Sequence, residues 1–253
     1  MASYLITGSS RGLGLAMASR LASLPKSDVS AVFATARQDN SPQLRQLVNS
    51  SPGRVGFVPL DVTDEKSAVD AAGLVEQLLQ GRGLDVLINN AGVMPLSRQG
   101  LEGMNDLNEA FDINVSGAHR VTRAFLPLVR RGQRKTVANI STTMGSFGMS
   151  SIFKPLPAPA YKITKAALNM LTVQYAQSYA QDGFTFLAVS PGWLQTDLGG
   201  PRADLPVDKG AESVLELVQA AQPEQNGKFF NIHVRGWDEA EGLNRYNGGE
   251  VPW

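Results

Sequence analysis

Tyr161 and Lys165 stand four residues apart in the run Ala160-Tyr161-Lys162-Ile163-Thr164-Lys165-Ala166. On a helix that spacing stacks the two side chains on one face, one turn apart. A phenol has an ordinary pKa of about 10 and donates its proton poorly at neutral pH unless that value falls. An ammonium fixed beside it favours the phenolate and lowers the pKa. Together the two residues make a compact acid/base device. Such a pair is common on surface helices, so its meaning depends on what the rest of the chain brings to it.

The first such element is a glycine turn, Thr7-Gly8-Ser9-Ser10-Arg11-Gly12-Leu13-Gly14. It follows an apolar strand-like run and opens a helix-like one. Gly8, Gly12 and Gly14 permit a tight turn and let backbone amides, including those of Ser10, Arg11 and Leu13, come close to a pyrophosphate. The helix N-terminus adds a favourable dipole. The spacing G-x-x-x-G-x-G differs from the G-x-G-x-x-G of many dinucleotide folds, but the strand–turn–helix context is the one that reading requires.

Charge after the second strand indicates which dinucleotide is bound. Users of NAD place an acidic side chain there for the ribose 2′-hydroxyl. This chain has Arg37 at that point and Arg11 in the glycine turn. Two cations suit the extra 2′-phosphate of NADP(H), so NADP(H) is expected in preference to NAD(H). Asp39, two positions on, is the feature that opposes this. Asp61-Val62 follows the third strand, where the carboxylate can accept from an adenine amino group. Asn90-Ala91-Gly92 follows the fourth, where small residues admit the adenosine. Pro191, Gly192 and Thr196 follow the sixth, near the place of a nicotinamide carboxamide. All lie at the carboxyl ends of strands, where open α/β sheets bind ligands.

The pattern of alternation positions these segments. Strands are expected at 3–7, 31–36, 55–60, 84–89, 136–140, 185–190 and 229–233. Helices are expected at 12–24, 42–49, 65–80, 105–130, 161–181 and 209–221, with the 105–130 helix bent near Pro127. The order predicts one α/β domain over 1–253: a Rossmann-type, doubly wound parallel sheet of seven strands with helices on both faces. Two segments break the rhythm. The 147–159 stretch carries Pro155, Pro157 and Pro159. The 234–253 tail is irregular, with Gly236, Gly242, Gly248 and Gly249, yet carries Trp237, Tyr246 and Trp253. Its aromatics predict packing on the body or on a second subunit.

Composition narrows the function classes. The 253 residues carry no net formal charge, are 43% hydrophobic and 18% charged, and include no cysteine. Disulfides, thiol catalysis and thiolate metal sites are therefore excluded. His119 and His233 are far apart in sequence, and no metal site is expected. Charge balance gives no support for nucleic acid or an anionic membrane as partner. No apolar run is long enough to span a bilayer, and the first residues lack a signal-peptide layout, so a cytoplasmic location is expected.

Taken in order, the segments 7–14, Asp61, 89–92, Asn114, 139–141, Tyr161/Lys165 and 191–196 closely resemble the short-chain dehydrogenase/reductase family. Within it the chain looks most like the carbonyl-reductase, C-factor and sniffer-like branch, including fungal members with a tryptophan-ended tail. The resemblance implies that Tyr161 donates a proton to a carbonyl oxygen as hydride arrives from the nicotinamide. It implies that Lys165 lowers the tyrosine pKa and binds ribose hydroxyls, and that Asn114 holds a water leading to solvent. The family's substrate-binding serine aligns with Thr142, one step after Ser141. A threonine hydroxyl has the same donor and acceptors, with a stiffer side chain. Neighbouring strand residues point to opposite faces, so only one of the two can meet the substrate; Thr142 is the expectation and Ser141 the fallback.

The 19 positions from Thr142 to Tyr161 exceed the family's usual gap. The proline-rich insertion is expected to wall the substrate site. Phe147, Met149, Ile152, Phe153 and Leu156, with Met94, Met144 and Trp193, either line an apolar pocket or pack beneath the loop. The implied activity is NADPH-dependent reduction of a small ketone or aldehyde, its scaffold apolar. A nucleotide-binding regulator, or a lyase, isomerase or cyclase, is the alternative on the same scaffold. The resemblance also favours a homodimer or homotetramer through the 105–130 and 161–181 helices.

Overall fold

The first strand, β1 (Ala2–Ile6), is buried along its whole length, as a central strand covered on both faces must be. A computed structural model of the chain describes residues 1–238 and 245–253; Gly242 of the tail lies outside the described residues. Six further strands join β1 in one sheet: β2 (Val29–Ala36), β3 (Val55–Pro59), β4 (Val86–Asn89), β5 (Thr136–Ile140), β6 (Thr185–Ser190) and β9 (Lys228–Asn231). Every pairing is parallel, in the order β3-β2-β1-β4-β5-β6-β9. The order reverses between β1 and β4, which opens a crevice at their carboxyl ends. A separate parallel pair, β7 (Leu194–Gln195) with β8 (Leu205–Pro206), was not foreseen; at two residues each, these strands carry no readable period.

Helices cover both faces. Met17, Ala18 and Leu21 of α1 (Gly12–Ser23), Leu44 of α2 (Pro42–Ser50) and Val214, Leu215 and Val218 of α7 (Val207–Gln219) bury one face. Val75 and Leu79 of α3 (Glu65–Leu79), Val121 and Phe125 of α5 (Gly117–Arg131) and Ala176 of α6 (Pro159–Ser178) bury the other. Between sheet and helices runs a polar chain. Asn89 Nδ2 donates to Asn139 Oδ1 at 2.8 Å and Thr122 Oγ1 at 2.9 Å, and Asn139 Nδ2 donates to Thr172 Oγ1 at 2.9 Å. Buried amides bonded in this way lock β4 and β5 against α5 and α6 in one register.

Two helix expectations are corrected. The 105–130 helix begins as α4 (Leu107–Phe111), passes through a π-helical turn at Asp112–Ser116 and continues as α5. Asn114 thus lies in a π-helical turn, and Pro127 lies inside α5; π turns recur at functional sites. The helix of Tyr161 starts two residues early, at Pro159, because proline's fixed φ and missing N–H suit the first helical position.

The tail returns along β9. Asn231 N donates to Gly249 O at 3.0 Å and Val251 N to Phe229 O at 2.7 Å, with antiparallel bridges Phe230–Glu250 and His233–Asn247. The sheet edge at β9 is thereby covered by the chain's own backbone.

Candidate active site

The crevice between β1 and β4 is closed by two loops in contact. Gly8 has φ +70°, and a Cβ there would lie 3.0 Å from Ala91 Cα. A Cβ on Gly14 would lie 2.4 Å from Gly8 O and 2.7 Å from Asn90 Nδ2, so only glycine lets α1 start this close to the turn. Thr7 Oγ1 accepts from the amides of Asn90 and Ala91 at 2.9 and 3.0 Å, and Asn90 Nδ2 donates to Thr7 O at 2.8 Å. No side chain caps the N-terminus of α1. A glycine-lined turn feeding an uncapped helix N-terminus is the geometry a pyrophosphate needs, so these residues fit a dinucleotide.

Around this cradle the other expected residues take distinct places. Ser10 O accepts from Ser41 Oγ at 2.6 Å, and Leu13 packs on the core beneath the turn. Gly12, at φ +56°, approaches Thr196, so the loop after β6 leans over the glycine turn. Val62 packs on Gly117 at the start of α5. Arg37 is exposed at the end of β2. Asp61 Oδ1 accepts from Thr63 N at 2.9 Å and Thr63 Oγ1 at 2.7 Å. Burial pushes the Asp61 carboxyl up, but the Thr63 bonds and the nearby Arg37 outweigh it and hold it below the ordinary value. Asp39 is bound by Arg45, Nε to Oδ1 at 3.1 Å. Arg11 pairs with Asp197 at 3.0 Å, both side chains mostly exposed. Of the two cations expected near a 2′-phosphate, Arg37 is thus beside Asp61, while Arg11 is engaged by Asp197.

Tyr161 and Lys165 are both buried on α6. Lys165 Nζ lies 5.6 Å from the Tyr161 ring centre and donates to Ile140 O at 2.7 Å. Burial alone raises the Tyr161 phenol far above its ordinary value and lowers Lys165 to about 8. In the chain without cofactor, the only influence on the phenol is this burial, which raises it. The ammonium is held on a main-chain carbonyl, and loss of water dominates both groups.

Asn114 in the π-helical turn is buried. It accepts from Val93 N at 2.8 Å and donates to Val93 O at 2.9 Å and Thr164 Oγ1 at 3.0 Å. A Cβ on Gly92 would lie 3.1 Å from Asn114 Oδ1 and 3.6 Å from Lys165 Nζ, so these three residues converge. Thr142, half-buried at the exit of β5, caps the short 3-10 turn Thr143–Gly145, its Oγ1 accepting from Met144 N at 3.3 Å. Ser141 is buried, and its Oγ donates to Asn169 Oδ1 at 2.5 Å.

The apolar residues of the insertion divide. Phe153 is buried and Met149 packs on Ala188, Phe229 and Val251, whereas Phe147, Ile152 and Leu156 are exposed, as is Trp193. Lys162, next to Tyr161, donates from Nζ to Phe153 O at 2.5 Å and Leu156 O at 2.8 Å. Pro191–Gly192 is braced by Tyr246: a Cβ on Gly192, at φ +81°, would lie 2.7 Å from the Tyr246 ring. Lys162, Thr164, Asn169 and Tyr246 are site residues that sequence reading missed. Asn169 had a signal, because it continues the 161–165 spacing by another four residues along the same face.

The chain matches the family model for short chain dehydrogenases over residues 3–204. It is 37% identical over 171 residues to the C-signal protein of Myxococcus xanthus, spanning 67% of this chain and 93% of that one. The NADPH-bound carbonyl reductase from chicken fatty liver superposes with a TM-score of 0.86 at 30% identity, covering 100% of this chain and 99% of that one. The carbonyl reductase Sniffer of Drosophila melanogaster superposes at 0.87 and 25% identity over 100% of both chains. Extent of match and likeness of whole chains agree with the parallel sheet and its glycine turn: the protein belongs to the short-chain dehydrogenase family.

Proposed function

We propose that this chain is a cytosolic NADPH-dependent carbonyl reductase, converting a ketone or aldehyde of apolar scaffold to the alcohol. The observation that carries the reading is the convergence of buried Tyr161 and Lys165 with Asn114 and Gly92 beside the glycine cradle at the β1/β4 crevice. The NADPH in the chicken relative supports the choice of cofactor. When bound, the reduced dinucleotide supplies hydride to the carbonyl carbon.

The amides of the 8–14 turn would hold the pyrophosphate, Arg37 the 2′-phosphate, Asp61 and Val62 the adenine, and Asn90 to Gly92 the adenosine. Pro191 to Thr196 would hold the carboxamide, and Lys165 the ribose hydroxyls. Tyr161 Oη gives its proton to the carbonyl oxygen. The phenol is neutral at pH 7 and so carries the proton this step needs. Thr142 Oγ1 donates a hydrogen bond to the same oxygen and steadies the charge developing there. Asn114 keeps the loop after β4 in place through Val93. A second copy of the chain would meet α5 and α6, where Ile163 and Met170 of α6 stand exposed.

The test is purified protein with NADPH and a panel of aromatic and aliphatic carbonyls, followed by loss of NADPH absorbance and identification of the alcohol. Tyr161→Phe should lower kcat by about 10²–10⁴ while binding NADPH as before. NADPH bound tightly but never oxidised across the panel would replace the reductase with a nucleotide-binding regulator.

A further inference from the structure

From the antiparallel ladder that the tail forms on β9, two contacts reach loops of the active site. The first is Tyr246, 1% exposed, anchored in the ladder by Val234 N donating to Tyr246 O at 2.8 Å. Its Oη donates to Asp204 Oδ2 at 2.8 Å and accepts from Trp193 N at 3.2 Å. Burial raises the phenol, which keeps its proton for that donation. The ring fills the space that Gly192 leaves open. Tyr246 therefore ties the turn leading to Thr196, and Thr196 in turn leans on Gly12 of the phosphate cradle.

The second contact lies at Pro252 and Trp253. Ser146 Oγ donates to Pro252 O at 2.5 Å, and Gly148 N donates to Trp253 O at 2.9 Å. The Trp253 ring stacks on Phe229 with centroids 5.6 Å apart, which fixes this end of the tail to β9. Ser146 follows Gly145, where a Cβ would lie 2.8 Å from the Lys165 backbone; Gly148 flanks the exposed Phe147. This end of the tail therefore holds the first residues of the substrate wall against the Lys165 helix.

We propose that the tail is a positioning element of the active site that sets two walls separately: Tyr246 the cofactor-side turn at Trp193, and Trp253 the substrate-side wall at Gly148. The roles of the walls rest on the reductase reading; the contacts do not.

The experiment uses the full chain and two variants, Tyr246→Phe and Trp253→Ala. It reads amide hydrogen exchange at Trp193 and Gly148, the NADPH dissociation constant and the KM for the best carbonyl of the panel. Tyr246→Phe should speed exchange at Trp193 but not at Gly148, and weaken NADPH about tenfold, the size of one lost hydrogen bond. Trp253→Ala should do the reverse, speeding exchange at Gly148 and raising KM with NADPH affinity unchanged. Both amides responding together in each variant, in step with a lowered melting temperature, would overturn the proposal and leave a tail that only stabilises the fold. So would no change at either amide. Exchange needs no turnover, so it decides the matter even if wild-type protein reduces no carbonyl, the result that would defeat the reductase reading alone.

Discussion

Ser141 Oγ donates to Asn169 Oδ1 at 2.5 Å, and that bond engages one of two adjacent hydroxyls. Ser141 is 1% exposed and serves the join between β5 and α6, whereas Thr142 is half-buried at the strand exit. Thr142→Val keeps the branched shape and removes the hydroxyl, so kcat/KM should fall about 10²-fold with NADPH affinity unchanged. Ser141→Ala should leave turnover near the wild-type value and lower unfolding free energy by about 1–3 kcal/mol, because Asn169 loses a buried partner. Urea denaturation and steady-state kinetics on both variants check this. Turnover lost with Ser141 and kept without the Thr142 hydroxyl would reverse the assignment.

Cofactor preference should rest on Arg37 more than on Arg11. Arg11 is engaged by Asp197, while Arg37 stands exposed beside Asp61. Arg37→Ala should cut the preference for NADPH over NADH by about ten- to a hundredfold, the range for a charged hydrogen bond. NADH affinity should hardly move. Arg45→Ala should erode the preference by another route, since it releases the Asp39 carboxylate that Arg45 now binds. Dissociation constants for both dinucleotides read all three variants, and a larger effect from Arg11→Ala would transfer the role to it.

Much of this was legible in local pattern. Seven strand-like runs alternating with helices were enough for the parallel sheet, because strands buried on both faces read as short apolar runs. The glycine turn and the Tyr161/Lys165 spacing were legible for the same reason: each is a contact between near neighbours in sequence. What stayed hidden depends on distant partners. The π-helical turn at Asp112–Ser116 sits in an unbroken helical pattern whose visible breaker, Pro127, is elsewhere. The partner that engages the Ser141 hydroxyl, Asn169, lies 28 residues downstream. The raised phenol of Tyr161 follows from depth of burial, which is not encoded in a spacing of four.

Lys165 gives a pH signature. Its folded value of about 8 lies below the ordinary 10.5, so between those values the unfolded chain binds more protons than the folded one. Stability from this group must therefore rise with pH across that window; below it the full cost of a buried ammonium is carried. Against Lys165→Met, which cannot titrate, the wild type should gain unfolding free energy from pH 8 to pH 10, at a slope approaching about 1.4 kcal/mol per pH unit. Tyr161 is present in both proteins, so its opposing effect above pH 10 cancels in the difference. Urea denaturation of the two at matched ionic strength measures it, and a difference flat with pH would mean the ammonium is not desolvated.

The proline-rich wall should answer to Lys162. Its Nζ holds the carbonyls of Phe153 and Leu156, and burial lowers its pKa; the residue before it is the proposed acid, Tyr161. A second tie, Ser97 N to Pro157 O at 2.9 Å, does not depend on Lys162, so the wall should loosen without detaching. Lys162→Met keeps the aliphatic stem and loses the charge-assisted bonds. The expected result is a KM for bulky carbonyls raised about tenfold, the lower end for such bonds because the second tie remains, with a much smaller change in kcat. NADPH affinity should be unchanged, since neither carbonyl belongs to the phosphate cradle. Small aldehydes, which need little of the wall, should show less of the KM effect than bulky ketones. If kcat and NADPH affinity fall together while KM holds, Lys162 acts through Tyr161 and the cofactor, and the wall does not set substrate fit.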